Sequence, residues 1–283
     1  MKHVVGELRS QVRERARGLV LTLGGSLPMR RANFDVRLLY GHSIATADIP
    51  AFRRTLRFLR QHFEFVTNEE AVGLLRDDKP PSGRYLALSF DDGFRDNYEI
   101  LAPALHDHGA TACFFLVSNF IDCTEDYRCK IVSERFRCAL DRKPMSWQMV
   151  RELVSAGFEI GAHTADHFDL SELDPLDAER QMVDAKQAIE TACNRPCRLF
   201  AWPYGTLRHF PTRLFPIAER EFDLIFSAVR SVRQLPSNSA IVNRDHFEPG
   251  WPLTHVRFFV RSPKARQAHN AEASASRIAD QVS

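Results

Sequence analysis

The stretch Leu86-Ala-Leu-Ser-Phe-Asp-Asp-Gly93 constrains the chain more than any other. Four of its first five residues are apolar, and the run stops on two carboxylates and a glycine. A short apolar run closed by a turn signal reads as a buried strand with an exposed C-terminal tip. In open or barrel-like α/β folds, chemistry collects at those tips. Neighbouring side chains in extended backbone point to different sides, so Asp91 and Asp92 can take different jobs. One can hold a cation while the other handles a proton. A capping pair at a strand-to-turn junction is the plainer reading of an isolated Asp-Asp-Gly, because both residue types favour turns. Gly161-Ala-His-Thr-Ala-Asp-His167 weighs against it.

Around this strand the chain alternates. Apolar runs predict strands near residues 35–40, 110–117, 158–162, 198–201 and 224–228, with a short one delivering His246. Helical spacing or capping signals fall between them, near residues 50–63, 69–75, 97–108, 147–156, 174–192 and 212–221, and then near 253–260. Strands alternating with helices predict mostly parallel pairing in one α/β domain over residues 34–261. Residues 1–33 form an Arg-rich lead-in, expected to be helical. Its run from Arg9 to Arg17 carries four Arg against one Glu. A solvated helix face is the simpler reading, and peripheral docking on a membrane surface the other. Residues 122–144 read as an inserted loop or short helical excursion, and 231–239 as a polar connection. Residues 262–283, rich in Ala, Ser, Gln and charge without an aromatic, are expected to be a disordered tail.

Length and charge bound the function. A chain of 283 residues can bury a sizeable core. Its 38 basic and 36 acidic residues leave +2, too little to argue for a nucleic-acid partner. No apolar run has the length of a transmembrane helix. The apolar core at residues 18–23 is short and lacks a clear cleavage site, so no signal peptide is read and the cytoplasm is the expected location. The six cysteines show no CxxC pair and are expected to be free thiols. Sequence leaves the oligomeric state open.

His163 and His167 lie four apart, a spacing at which two imidazoles meet one cation from a helical turn. Two solvated or core histidines are as common at that spacing. A carboxylate from Asp91 or Asp92 would complete a three-ligand site with an open position for water. The 71 positions from Asp92 to His163 leave room for two further βα units, and strand tips so separated converge on one mouth.

Ser89-Phe-Asp-Asp-Gly93, His163-Thr-Ala-Asp-His167 and Phe200-Ala-Trp-Pro-Tyr-Gly205 resemble, in order and spacing, successive motifs of the NodB-like polysaccharide deacetylases. The resemblance runs from about Val36 to Val260, including Tyr40-Gly-His42 and Gly109-Ala-Thr-Ala-Cys-Phe-Phe115. It implies a distorted (β/α) barrel of about seven parallel strands with its site at the strand C-termini. It implies that Asp92, His163 and His167 bind a divalent metal, zinc first, with cobalt, nickel or manganese as alternatives. Asp91 would be the general base on the attacking water. The Tyr204 backbone N–H would face the oxyanion, Pro203 would fix that turn, and Tyr204 would shape the sugar pocket. His246 is the candidate general acid and His255 the alternative, while His42 is expected to pack behind the site.

Two features depart from the family pattern, one being that the family's tryptophan-bearing fourth motif is not evident between Glu221 and Gln234. Where the family's third motif often starts with an Arg that steers the aspartate, the chain reads Ala201-Trp202. Arg244 is a candidate for that role and for contact with substrate, and Trp202 for a stacking wall under a sugar ring. The implied activity is that of a metal-dependent hydrolase acting on C–N bonds other than peptide bonds. It would remove an N-acyl, chiefly N-acetyl, group from an amino sugar in a polysaccharide, oligosaccharide or lipid-linked precursor. A non-catalytic carbohydrate-binding relative and an O-deacetylase or amidase on another substrate are the rivals. A serine-hydrolase reading fails for want of a Gly-x-Ser-x-Gly elbow.

Overall fold

A computed structural model describes residues 16–230 and 241–262. Residues 1–15 of the Arg-rich lead-in, the polar connection at 231–239 and nearly all of the expected C-terminal tail lie outside the described residues. In chain order the strands are β1 (Phe34–Gly41), β2 (Glu64–Phe65), β3 (Gly83–Phe90), β4 (Cys113–Leu116), β5 (Glu159–Ala162), β6 (Leu199–Ala201), β7 (Leu224–Ser227), β8 (Ile241–Asn243) and β9 (Asp245–His246). The helices begin with α1, whose described part covers residues 16–26. They continue as α2 (Ile49–His62), α3 (Asn68–Arg76), α4 (Ala102–Asp107), α5 (Glu125–Ile131), α6 (Trp147–Ser155), α7 (Pro175–Cys193), α8 (Phe215–Glu221) and α9 (Leu253–Val260).

The main sheet order is β8-β7-β6-β5-β4-β3-β1-β9, with every pairing parallel. β8 and β9 are two pieces of one segment interrupted only at Arg244. The first piece pairs with β7 through Ser227↔Asn243, and the second with β1 through Tyr40↔His246. The eight strands therefore make a nearly closed barrel wrapped by helices, and counting 241–246 as one stave gives the expected seven. β2 distorts it: β3 pairs with β2 at Tyr85 and Leu86 but with β4 only at Ser89 and Phe90.

Side-chain parity explains which residues reach the site. Val36, Leu38, Tyr85, Ala87, Cys113, Phe115, Leu199, Ala201, Leu224, Phe226 and Val242 form an inner apolar cluster, together with Val66, Ala71 and Val72 around the start of α3. The alternate residues, among them Leu39, Leu86, Leu88, Phe90, Phe114, Phe200 and Ile225, pack outward against the helices. Continuing the inner parity upward leads to Tyr40, to Ser89 and Asp91, to His163, and to Arg244 and His246. Gly161 occupies an inner position because a Cβ there would lie 2.4 Å from the Phe115 ring.

The helices carry the expected signals. Thr67 and Glu70 form a capping box on α3, and Ser146 accepts from the Met149 N–H at the start of α6. Pro175 opens α7 behind the Asp174 cap. The expected helix over 97–108 is not uniform: Asn97–Leu101 forms a π-turn before α4. The 122–144 insert is likewise part helix, with α5 running into a π-turn at Val132–Phe136. The six cysteines are free.

Candidate active site

The ends of β1, β3, β5 and β6 and the segment after β9 surround a cavity of about 470 Å³. Its wall includes Tyr40, His42, Asp91, Asp92, His163, His167, Tyr204 and His246. Four residues around it have left-handed backbone: Asp92 (φ 79), Thr164 (φ 66), His167 (φ 58) and Tyr204 (φ 59). Such conformations cost non-glycine residues energy and persist where the surroundings fix them. They turn the chain sharply at the strand tips, aiming successive side chains into one space.

Asp92, His163 and His167 are all buried, with one ligating atom from each within 4.8 Å of the others. Asp92 Oδ1 lies 3.6 Å from His163 Nε2 and 3.4 Å from His167 Nε2. The two histidines do not sit on a helical turn as their spacing predicts. His163 follows β5, and a tight loop closed by the His167 N–H donating to Thr164 Oγ1 (2.9 Å) brings His167 back beside it. His163 Nδ1 donates to the Ala201 carbonyl at 2.6 Å, which turns the Nε2 lone pair toward Asp92. Burial lowers His163 to about 4, and burial together with the nearby His163 and His42 lowers His167 well below its ordinary value. Both rings are therefore neutral near pH 7, the state in which imidazole binds metal. Burial raises Asp92 to about 7, and its Oδ1 is a buried oxygen without a hydrogen-bond donor among the described residues. A carboxylate oxygen so placed between two inward imidazole lone pairs fits a divalent cation.

Asp91 is held differently. Arg244 donates from Nη1 to Asp91 Oδ1 at 2.8 Å and from Nη2 to Oδ2 at 2.9 Å. The same guanidinium reaches Ser89 Oγ (2.9 Å) and the Ser227 carbonyl (3.1 Å). Burial opposes ionisation of Asp91, but the Arg244 charge and hydrogen bonds together with His163 and His42 outweigh it and hold the carboxyl below its ordinary range. Arg244 itself is fully enclosed and stacks over the Tyr40 ring. This corrects its expected contact with substrate: it grips Asp91 from behind the cavity wall and presents no surface to a ligand.

A third cluster occupies another part of the wall. Glu248 Oε1 lies 2.6 Å from His246 Nε2 and 3.3 Å from His42 Nδ1. Burial resists charging of His42, but the Glu248 hydrogen bond and the carboxylates Asp92 and Asp91 raise it to about 9. Burial also opposes ionisation of Glu248, and its two histidine partners overcome this and hold it near 2. His42 thus lines the cavity rather than packing behind it. His255, the alternative acid, is not on the wall and packs edge-on to Trp251.

Trp202 stands at the cavity wall and is packed into the core. Its ring is buried, stacks on Phe210 at 4.8 Å between centroids, and donates Nε1–H to the Thr206 carbonyl. It supports the 202–206 turn from within and borders the cavity at the strand tips. Pro203 is buried in the same turn, and Tyr204 extends to the cavity, its ring 5.0 Å from that of His167. Sequence reasoning missed Glu248 and the insert residues Arg135, Phe136 and Cys138 on the wall, and Ser89 as an acceptor from Arg244 behind it. Phe136 packs edge-on to His167, and the Arg135 carbonyl accepts from Tyr204.

Comparison with known proteins follows the same motifs. The family model for polysaccharide deacetylase matches residues 78–216. A chitooligosaccharide deacetylase of Sinorhizobium fredii is 32% identical over 121 residues, which are 42% of this chain and 46% of that protein. Among solved structures, IcaB from Ammonifex degensii superposes with a TM-score of 0.63 at 20% identity, covering 81% of this chain and 100% of that one. The Streptococcus pyogenes deacetylase PplD, solved in complex with acetate, gives 0.62 at 17% identity, covering 80% of this chain and 97% of that one. The chain spans about half the length of the curated relatives it matches. Over the matched span, residues 78–216, it belongs to the polysaccharide deacetylase family, and its barrel is the fold of those deacetylases. His42, Arg244, His246 and Glu248 fall outside the matched span.

Proposed function

We propose that this chain is a metal-dependent hydrolase that removes the N-acetyl group from an amino sugar within a polysaccharide, oligosaccharide or lipid-linked glycan. The observation that carries the reading is the buried cluster of Asp92, His163 and His167, whose Asp92 Oδ1 has no donor among the described residues, beside an Asp91 locked by Arg244. A divalent cation held by those three residues, zinc by preference, supplies Lewis-acid polarisation of the amide carbonyl and acidifies water.

The protein's own groups divide the proton work. Asp91, held ionised and oriented by two hydrogen bonds from Arg244, takes a proton from the attacking water as the new C–O bond forms at the acetyl carbon. The Tyr204 backbone N–H faces the developing oxyanion, and a donor of this kind contributes about 100- to 1000-fold in rate. His246, steadied by Glu248, gives a proton to the sugar nitrogen as the C–N bond breaks. Acetate and a free amine leave. The cavity admits a sugar ring at the strand tips and seals Arg244 from water.

The test is acetate release from N-acetylglucosamine oligomers. Equal amounts of acetate and free amine are expected, abolished by a chelator and restored by a divalent metal. Release of acetate from O-acetylated sugars only, with the N-acetylated oligomers untouched, would assign the site to ester hydrolysis instead.

A further inference from the structure

Six large apolar side chains stand exposed among the described residues, and four of them, Leu19, Val20, Leu23 and Leu27, lie on or just after α1. Leu19 and Leu23 are 60% and 62% exposed. At about 100° per residue, these four fall within an arc of roughly 100° on the helix surface. Leu21, buried, and Gly25 lie on the opposite side.

That opposite side is fixed. A Cβ on Gly25 would lie 1.8 Å from the Thr254 carbonyl oxygen, and one on Gly24 would lie 2.5 Å from the Phe258 ring. Backbone-close packing on α9 therefore holds α1 in one rotation. Beyond the helix, the Arg30 N–H donates to the Arg261 carbonyl at 3.0 Å. The apolar arc cannot roll inward to hide. The helix it rests on connects to the cavity, because α9 starts two residues after Trp251, whose ring is 5.3 Å from that of His246.

The charge around the arc is one-sided. Residues 1–31 carry seven Lys and Arg against two Glu, whereas the whole chain is only +2. Arg17 on α1 and Arg30 and Arg31 a few residues beyond its end are exposed. An outward apolar stripe on a helix rich in neighbouring Arg is the pattern of an interfacial helix on an anionic bilayer. A second copy fits less well. Four side chains fall short of the roughly 800 Å² per partner of a stable interface, and a two-fold contact would bring like arginines together.

We propose that α1 seats the protein on an anionic phospholipid surface. Its leucine arc enters the acyl boundary, its arginines contact lipid phosphates, and the cavity is held near the bilayer. This goes beyond the proposed hydrolysis and does not depend on it.

The experiment uses the full chain with extruded vesicles of phosphatidylglycerol and phosphatidylcholine in equal parts, and of phosphatidylcholine alone. Flotation of the wild type with the anionic vesicles, weakened by 0.5 M salt, is expected. Leu19→Glu/Leu23→Glu changes only exposed positions and should lower that binding at least tenfold while acetate release from a soluble oligomer is unchanged. Failure of the wild type to float, or equal flotation of the double variant, overturns the proposal. So does a wild-type dimer by light scattering that the double variant splits, which would assign the face to a second copy.

Discussion

Two pairs of a carboxylate with a nitrogen side chain stand at the same cavity, and they differ in their access to water. Arg244 and Asp91 have side-chain exposures of 0% and 5%, and the pair is bidentate. His246 and Glu248 stand at 36% and 34%, joined through one oxygen that also meets His42. A dry bidentate pair fixes one protonation state and one geometry, because leaving either charge alone is costly. A half-wet histidine–carboxylate pair can exchange its proton with solvent and substrate. The dry pair thus suits a base that must stay ionised, and the wet pair an acid that must be reloaded.

The sharpest way to break this contrast is at Asp91. Asp91→Asn should keep the metal but lose acetate release by about 1000-fold or more, read as kcat on N-acetylglucosamine oligomers. Arg244→Met comes next. It strands a buried carboxylate and should destabilise the fold by roughly 3–5 kcal/mol in denaturant melts. His246→Ala should cost about 100-fold in kcat, the lower range for a lost general acid, with metal retained.

Glu248→Gln tests the wet pair through pH. The folded His42 is raised to about 9, so its stabilisation is complete below its ordinary 6.5 and fades as pH rises through 9. Glu248 is held near 2, so its contribution is complete above its ordinary 4.5 and fades as pH falls toward 2. The Tm loss in Glu248→Gln should therefore be greatest between about pH 4.5 and 6.5 and shrink by pH 10. The smallest effect is expected at Trp202→Phe, which keeps the stack on Phe210 and loses one hydrogen bond, about 1 kcal/mol in stability.

The strands that form the barrel were legible because parallel strands buried on both faces read as apolar runs, and β3 is the plainest. His163, His167 and a carboxylate from Asp91 or Asp92 were legible as metal-binding residue types at strand tips, and the family resemblance selected Asp92. Their loop was not: the spacing of four implied a helical turn, while left-handed Thr164 and His167 achieve the same convergence without one. Arg244 carried no local signal for its grip on Asp91, because its partner is 153 residues away. Parity along 242–246 would have placed it inward, on the side of His246. Glu248 sits two residues past His246 in a non-repeating segment, so no period marked it. Phe136 reaches the cavity through a π-turn, a distortion that helical spacing does not encode.

Metal stoichiometry by elemental analysis tests the central assignment most directly. About one divalent ion per chain is expected in the wild type and in Asp91→Asn, with almost none in Asp92→Ala or His163→Ala. A full equivalent retained by Asp92→Ala, or none taken up by the wild type, would contradict a cation shared by Asp92, His163 and His167.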